Sequence, residues 1–185
     1  MASRLLPLAA LLLAAALLLW PGLPGFWAVL AGYIGIASLT VLGLVVLSGI
    51  GGLISFGQAM FVGIGAYTTA ILTTEHGVSP WLTLPLSVLA AGLLAWGIGA
   101  ITLRLRGHYL AVATIAWNVS FFYLIGNLDI FHRYDGISGI PPVSLFGVPL
   151  IEARHFALLV LLFLAAAMLL TRNLLRSRAG RTIRC

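Results

Sequence analysis

The side chains able to do chemistry are few and scattered. The four histidines are His76, His108, His132 and His155. No two stand four residues apart and none belongs to a His-Glu-x-x-His helix, so no zinc site is expected. The lone cysteine, Cys185, excludes an internal disulfide and a cysteine-based metal site. The acids are Glu75, Asp129, Asp135 and Glu152, none of them within an apolar run. Ser138 sits in Gly136-Ile137-Ser138-Gly139-Ile140, which is not the Gly-x-Ser-x-Gly elbow of a serine hydrolase. Gly63-Ile64-Gly65-Ala66-Tyr67-Thr68 lacks the third glycine and the following acid of a dinucleotide fingerprint. The chain has no lysine, so it holds no phosphate loop of the Gly-x-x-x-x-Gly-Lys type. No catalytic residue, metal or cofactor is expected.

What remains is a set of polar groups in apolar surroundings, chiefly Ser55, Gln58 and Asn118. An unpaired hydroxyl or amide in hydrocarbon costs several kcal/mol, so each must face another helix or a wet path. Two uses are open. One is hydrogen bonding between helices. The other is the lining of a route for a small polar solute, which needs uncharged groups that bind weakly and release. The glycine-rich run from Gly49 to Gly65, with Gly57 beside Gln58, carries a parallel choice. A broken helix there would expose backbone groups to a solute. Close packing through Ala59/Gly63 and Ala66/Ala70 would instead make it structural.

The elements that hold these groups follow from composition. Of the 185 residues, 62% are hydrophobic and 8% charged, with a mean hydropathy of +1.14. Soluble domains are about one-quarter charged, and disordered tails are poor in apolar residues. No charged residue occurs from Leu5 to Thr74, a stretch long enough for about three membrane spans at ~20 residues each. The apolar runs are too long for strands and lack the alternation of a β-barrel. The predicted fold is all-α, a polytopic transmembrane bundle of about six spans forming one domain: Leu5–Trp20, Phe26–Leu47, Ile54–Thr74, Trp81–Leu103, Tyr109–Gly126 and His155–Thr171. The first run is as short as a signal-peptide core. It is followed by Trp20-Pro21-Gly22-Leu23-Pro24-Gly25 rather than a cleavage site, and reads as a retained helix. Asn127 to Ala153, with Pro141-Pro142, reads as an irregular polar loop.

All ten basic residues are arginine, and their distribution sets the topology. With both termini cytoplasmic, Arg4, Arg104, Arg106, Arg172, Arg176, Arg178, Arg181 and Arg184 lie inside. Arg133 and Arg154 lie outside with all four acids. This obeys the preference for basic residues on the cytoplasmic side, and the inverted orientation violates it. The arginines form no stripe with interleaved aromatics, so no nucleic-acid partner is expected. The tail from Arg172 to Cys185 suits either an anchor on anionic membrane lipid or a dock for a cytoplasmic partner.

Four stretches together carry a resemblance. They are Gly51-Gly52-Leu53-Ile54-Ser55-Phe56-Gly57-Gln58-Ala59-Met60-Phe61-Val62-Gly63-Ile64-Gly65-Ala66-Tyr67, Leu103-Arg104-Leu105-Arg106-Gly107-His108-Tyr109-Leu110-Ala111-Val112-Ala113-Thr114, Asp135-Gly136-Ile137-Ser138-Gly139-Ile140-Pro141, and Arg176-Ser177-Arg178-Ala179-Gly180-Arg181. In order and spacing the set resembles the LivM-type permease subunits of branched-chain amino-acid ABC importers, from about Gly43 onward. Permeases of urea importers share the pattern, so urea or a short amide stays open as solute.

The resemblance implies a non-enzymatic bacterial inner-membrane subunit. Its expected partners are a second permease subunit, cytoplasmic ATP-binding subunits, an extracytoplasmic solute-binding protein and membrane lipid. Arg176, Arg178, Gly180 and Arg181 would open the ATPase-coupling segment, and Asp129 and Asp135 would belong to the binding-protein dock. In the family that segment continues into further spans, whereas Cys185 ends this chain inside it. The sequence is therefore expected to be the N-terminal part of a permease, with a non-transporting remnant as the rival reading. A membrane-integral enzyme or lipid-handling protein would need titratable groups at membrane depth, and none of the acids is there.

Overall fold

A computed structural model of the protein describes residues 24–102, 104–105, 107–145 and 148–177, with Ala15, Leu18 and Trp20 besides. The described residues are dominated by five long helices. α1 is Gly25–Leu44, continued by a π-helical segment over Val45–Ile50. α2 is Gln58–Thr74, α3 Pro80–Thr102, α4 His108–Asn127 and α5 Ala153–Arg176. Between α4 and α5 lie two single 3-10 turns and a two-residue antiparallel ladder, β1 (Ser144–Leu145) with β2 (Val148–Pro149). The expected irregular loop thus carries a small ladder, a minor departure from an all-α chain. Most of the predicted first span lies outside the described residues.

Among the described residues, four helices are long and apolar enough to cross a membrane: Gly25–Ile50, Pro80–Thr102, His108–Asn127 and Ala153–Arg176. They are apolar on nearly every side, and few of their residues are buried. Trp96 is 77% exposed and Val88 71%. A helix hydrophobic all round is not a surface helix of a water-soluble fold.

Two span boundaries differ from the sequence expectation. α1 does not stop at Ser48 but runs on through Ile50, because a π-helical turn accommodates Ser48 and Gly49 without a break. The next helix does not begin at Ile54. Gly51 closes a turn, Gly52 adopts a positive φ of 64°, and residues 52–57 are non-helical. A left-handed backbone costs an L side chain ~1–2 kcal/mol and glycine almost nothing, so Gly52 is where the chain leaves the helix.

The chain forms two compact units, residues 52–149 in one and the segments on either side of them in the other. The second of these units pairs α1 with α5. Ala28, Gly32 and Gly35 are the buried positions of α1, and Ala157, Val160 and Leu164 those of α5. A Cβ added at Gly32 would meet Phe156, and one added at Gly35 would meet Val160. Contacts that advance together along both helices mean that α1 and α5 run parallel. Ala28 and Ala157 are wholly buried, with Leu18 packed against them. In hydrocarbon there is no hydrophobic drive between helices, so association rests on close approach through small residues.

The unit of residues 52–149 packs α2 against both α3 and α4. α2 and α3 are joined by a short turn and run antiparallel. The Trp81 indole N–H donates to the Ser144 carbonyl at 2.6 Å, and His132 Nδ1 lies 3.8 Å from Glu75 Oε1. The end of α2, the start of α3 and the end of α4 therefore share one end of this unit. α3 is 23 residues long, so Arg104 stands about 35 Å away at the other end. The buried hydroxyls are satisfied within their own helices: Thr73 donates to Thr69 and Ala70, Thr83 to Pro80, Ser87 to Leu84, and Thr102 to Ile98.

The close approach at Gly35 is testable. A Cβ there would stand 2.6 Å from Val160 Cγ1, on a β-branched side chain with one favoured rotamer in a helix. Gly35→Ala is expected to destabilise the α1–α5 pair by about 1–3 kcal/mol through overpacking. Gly92→Ala, in a position with nothing within 4 Å, is expected to be neutral or slightly stabilising. Thermal unfolding of the purified protein in detergent measures both.

Candidate functional site

The non-helical segment 52–57 is the first notable feature. In a bilayer its backbone must find partners inside the protein. The Phe56 N–H donates to Thr114 Oγ1 at 3.0 Å, and the Gly57 N–H donates to Ser55 Oγ at 3.4 Å. Thr114 in turn donates its own hydroxyl to the Ala111 carbonyl at 2.9 Å. Thr114 is buried, and Gly57 is buried with Thr114 as its nearest neighbour on another helix. One threonine thus closes a backbone break by accepting from a neighbouring segment while donating within α4. Thr114 is six residues into α4, about 9 Å from its start, so the break sits inside the helical layer.

The four residues expected to line a path separate into two places. Ser55, Gly57 and Gln58 surround the break at the start of α2. Asn118 lies one turn beyond Thr114, on the wall of a cavity of about 660 Å³ between α2 and α4. The expected hydrogen bonds between helices do not form at Ser55, Gln58 or Asn118. Ser55 bonds locally, and neither amide has a partner among the described residues. Both amides are half-buried, which leaves them to water or solute. The small-residue pairs are also not simply packing. Ala70 alone of the four is buried, while Ala59 and Gly63 line the cavity.

The cavity walls are largely aromatic. Tyr67 of α2 faces Phe131 edge-on at 5.5 Å, and Phe122 of α4 lies 6.2 Å from Tyr134. Phe131 and Tyr134 belong to the two 3-10 turns, which fold back over the mouth. Between them His132 and Arg133 have φ of 58° and 52°, both left-handed and neither glycine. Each costs on the order of 1–2 kcal/mol, and such strain persists where surrounding contacts over-determine it. The contacts are on hand. The phenol end of Tyr134 lies against Gly126, so that a Cβ there would clash with it, 2.5 Å from Cε1 and 2.7 Å from the hydroxyl oxygen. Arg133 Nε binds Asp129 Oδ1 at 2.5 Å and also lines the cavity.

The expected docking acids, Asp129 and Asp135, are both exposed on this loop, at the same end as Glu75. Asp129 is paired with Arg133, so the loop is less acidic than its composition suggests. Of the expected coupling residues, Arg176 is exposed on the last turn of α5, where a cation complements the helix C-terminus. Arg178, Gly180 and Arg181 lie outside the described residues. Among those described, no group of three or more histidine, cysteine or acidic residues could hold a metal. Sequence reasoning missed Thr114, Gly126 and Tyr134. A threonine opposite a glycine-rich break was the available signal for the first; nothing local marks the other two.

Two outcomes follow. Thr114→Val leaves the Phe56 N–H unpaired and is expected to cost about 1–3 kcal/mol. Thr114→Ser is expected to retain most of the wild-type stability, and amide exchange at Phe56 separates the two. Gly126→Ala is expected to expel the Tyr134 ring and raise proteolysis of the 128–136 loop several-fold. Adding Tyr134→Ala to that variant is expected to relieve the clash, read as recovery of thermal stability.

Residues 23–185 match the family described as branched-chain amino acid transport system / permease component. Over 153 residues the chain is 38% identical to the high-affinity branched-chain amino acid transport system permease protein LivM of Escherichia coli (strain K12). That alignment covers 79% of this chain and 34% of the relative. The LivM protein of Salmonella typhimurium (strain LT2) is 38% identical over 124 residues, covering 63% of this chain and 29% of its own length. The chain therefore spans about a third of the length of these relatives. No solved structure matches it significantly. The family is one of transporters and not of enzymes. With its long apolar helices, the chain belongs to the branched-chain amino acid permease family of ABC transport systems and is a LivM-like, multi-pass membrane protein.

Proposed function

We propose that this chain is a membrane-spanning permease subunit of an ATP-binding-cassette importer. It carries branched-chain or related amino acids across the bacterial inner membrane. The observation that carries the reading is the family match over residues 23–185. Its partners are a second permease subunit, cytoplasmic ATP-binding subunits and an extracytoplasmic solute-binding protein. The last of these delivers solute at the loop that bears Asp129 and Asp135.

The helix directions support five crossings by the described helices, and the expected first span would be the sixth. α1 and α5 are parallel, so an odd number of crossings separates them. α2, α3 and α4 supply three, which requires α2 to cross although it has only 17 residues. In the unit of residues 52–149 the acids Glu75, Asp129 and Asp135 sit at one end and Arg104 at the other. That separation agrees with cytoplasmic termini under the preference for basic residues inside. Arg176, Arg178, Gly180 and Arg181 then fall on the side of the ATPase, where a basic segment receives the push of nucleotide-driven closure. Ser55, Gly57, Gln58 and Asn118 supply weak, uncharged contacts along the way.

The test is uptake of labelled leucine by the assembled transporter containing this chain. Uptake should require ATP, the binding protein and the ATP-binding subunits. The combined change Arg178→Ala, Gly180→Ala and Arg181→Ala should cut uptake about tenfold and remove co-purification of the ATP-binding subunit. Retained co-purification would rule out the coupling role. A membrane-impermeant maleimide should reach Cys185 only from the cytoplasmic face.

A further inference from the structure

The cavity between α2 and α4 has a divided chemistry. Its floor and walls are apolar, with Met60, Ile125 and the rings of Tyr67, Phe122 and Tyr134. Set into one wall is the Asn118 amide, which no protein group satisfies among the described residues. At the mouth stands one guanidinium, Arg133, and no carboxylate lines the space. The volume of about 660 Å³ falls within the range of roughly 300–1,000 Å³ usual for small-molecule sites. An aliphatic body fits the walls. An anionic end fits Arg133, whose contact with Asp129 through Nε engages one of its five donors. A small cation fits the faces of the rings, which attract positive charge.

From this arrangement we propose that the cavity is a binding site for an aliphatic α-amino acid as its zwitterion. Arg133 holds the carboxylate. Asn118 and the faces of Tyr67 and Tyr134 receive the ammonium, and Met60, Phe122 and Ile125 enclose the branched side chain. The inference rests on the permease reading for the class of solute, and deepens it by choosing between the solutes that the family resemblance leaves open. Urea and short amides have neither a charge for Arg133 nor a body to displace water from the aromatic walls. The loop that positions Arg133 is the one bent through two left-handed residues and seated by Tyr134 on Gly126. The clamp is thus fixed by the fold. The Arg133 side chain is 62% exposed, so replacing it leaves the packing intact.

The experiment uses the assembled transporter in detergent, without its solute-binding protein, and saturation-transfer NMR of ligand methyl groups. Leucine should give a saturable signal. Leucinamide, which keeps the ammonium and loses the carboxylate, should bind about tenfold more weakly, and acetamide should give no saturable signal. Arg133→Gln should weaken leucine about tenfold, the size expected for one charge-assisted hydrogen bond. It should also erase the difference between leucine and leucinamide, which a purely structural role would not do. Arg133→Lys should restore part of that difference. No leucine signal, equal binding of leucine and leucinamide to the unmodified protein, or a difference that survives Arg133→Gln would each overturn the site. Leucine uptake by the same preparation, reconstituted with its binding protein, separates the two readings. Uptake without the expected binding pattern rejects the site alone, and absence of uptake rejects the permease reading.

Discussion

Hydrocarbon offers no hydrogen bonds, and the architecture answers to that constraint throughout. A backbone amide left without a partner there costs several kcal/mol. Long unbroken helices satisfy it automatically, and the chain uses them wherever it can. Among the described residues, the interior place where it does not, residues 52–57, is also where a side chain from another helix steps in. Thr114 accepts from the Phe56 N–H and donates to the Ala111 carbonyl, so both of its bonding capacities are engaged. The glycine-rich composition that opens the break and the threonine that tolerates it are two halves of one solution, separated by 58 positions in sequence.

The same economy governs the other polar groups. The buried hydroxyls of α2 and α3 turn back on their own helices and leave the interfaces to small and aliphatic residues. Helix association in unit-forming pairs then depends on distance of approach, as at Gly35 against Val160. The amides of Gln58 and Asn118, both half-buried, have no such partner among the described residues. Both lie on helices that border either the break or the cavity, which ties an energetic irregularity to the places where a solute would need contacts.

Much of this was legible beforehand. Composition alone required helices in a membrane, because 62% hydrophobic residues with 8% charge leave no soluble alternative. The helix ends near Thr74, Thr102 and Asn127 were readable from turn residues and charges. The break was readable as a glycine-rich run, but its bounds were not, since a π-helical turn can absorb Ser48 and Gly49 at little cost. Asn118, singled out for its polarity as a candidate path residue, lines the cavity. The aromatic walls and the seat of Tyr134 on Gly126 were not readable. They depend on a loop doubling back through His132 and Arg133, in a backbone region that no propensity favours for those residues.

α2 has a further consequence. Its 17 residues reach about 26 Å, short of a hydrocarbon slab of ~30 Å. On the six-crossing topology the mismatch falls on the unwound stretch before it, which must supply the missing length as extended chain. Acyl-chain length therefore becomes a variable that the protein feels. On the same topology, a change in bilayer thickness is taken up at the stretch that Thr114 holds through the Phe56 N–H. On that topology the host lipids bear on the chain at this stretch, whose backbone amides are held by the Thr114 and Ser55 hydroxyls.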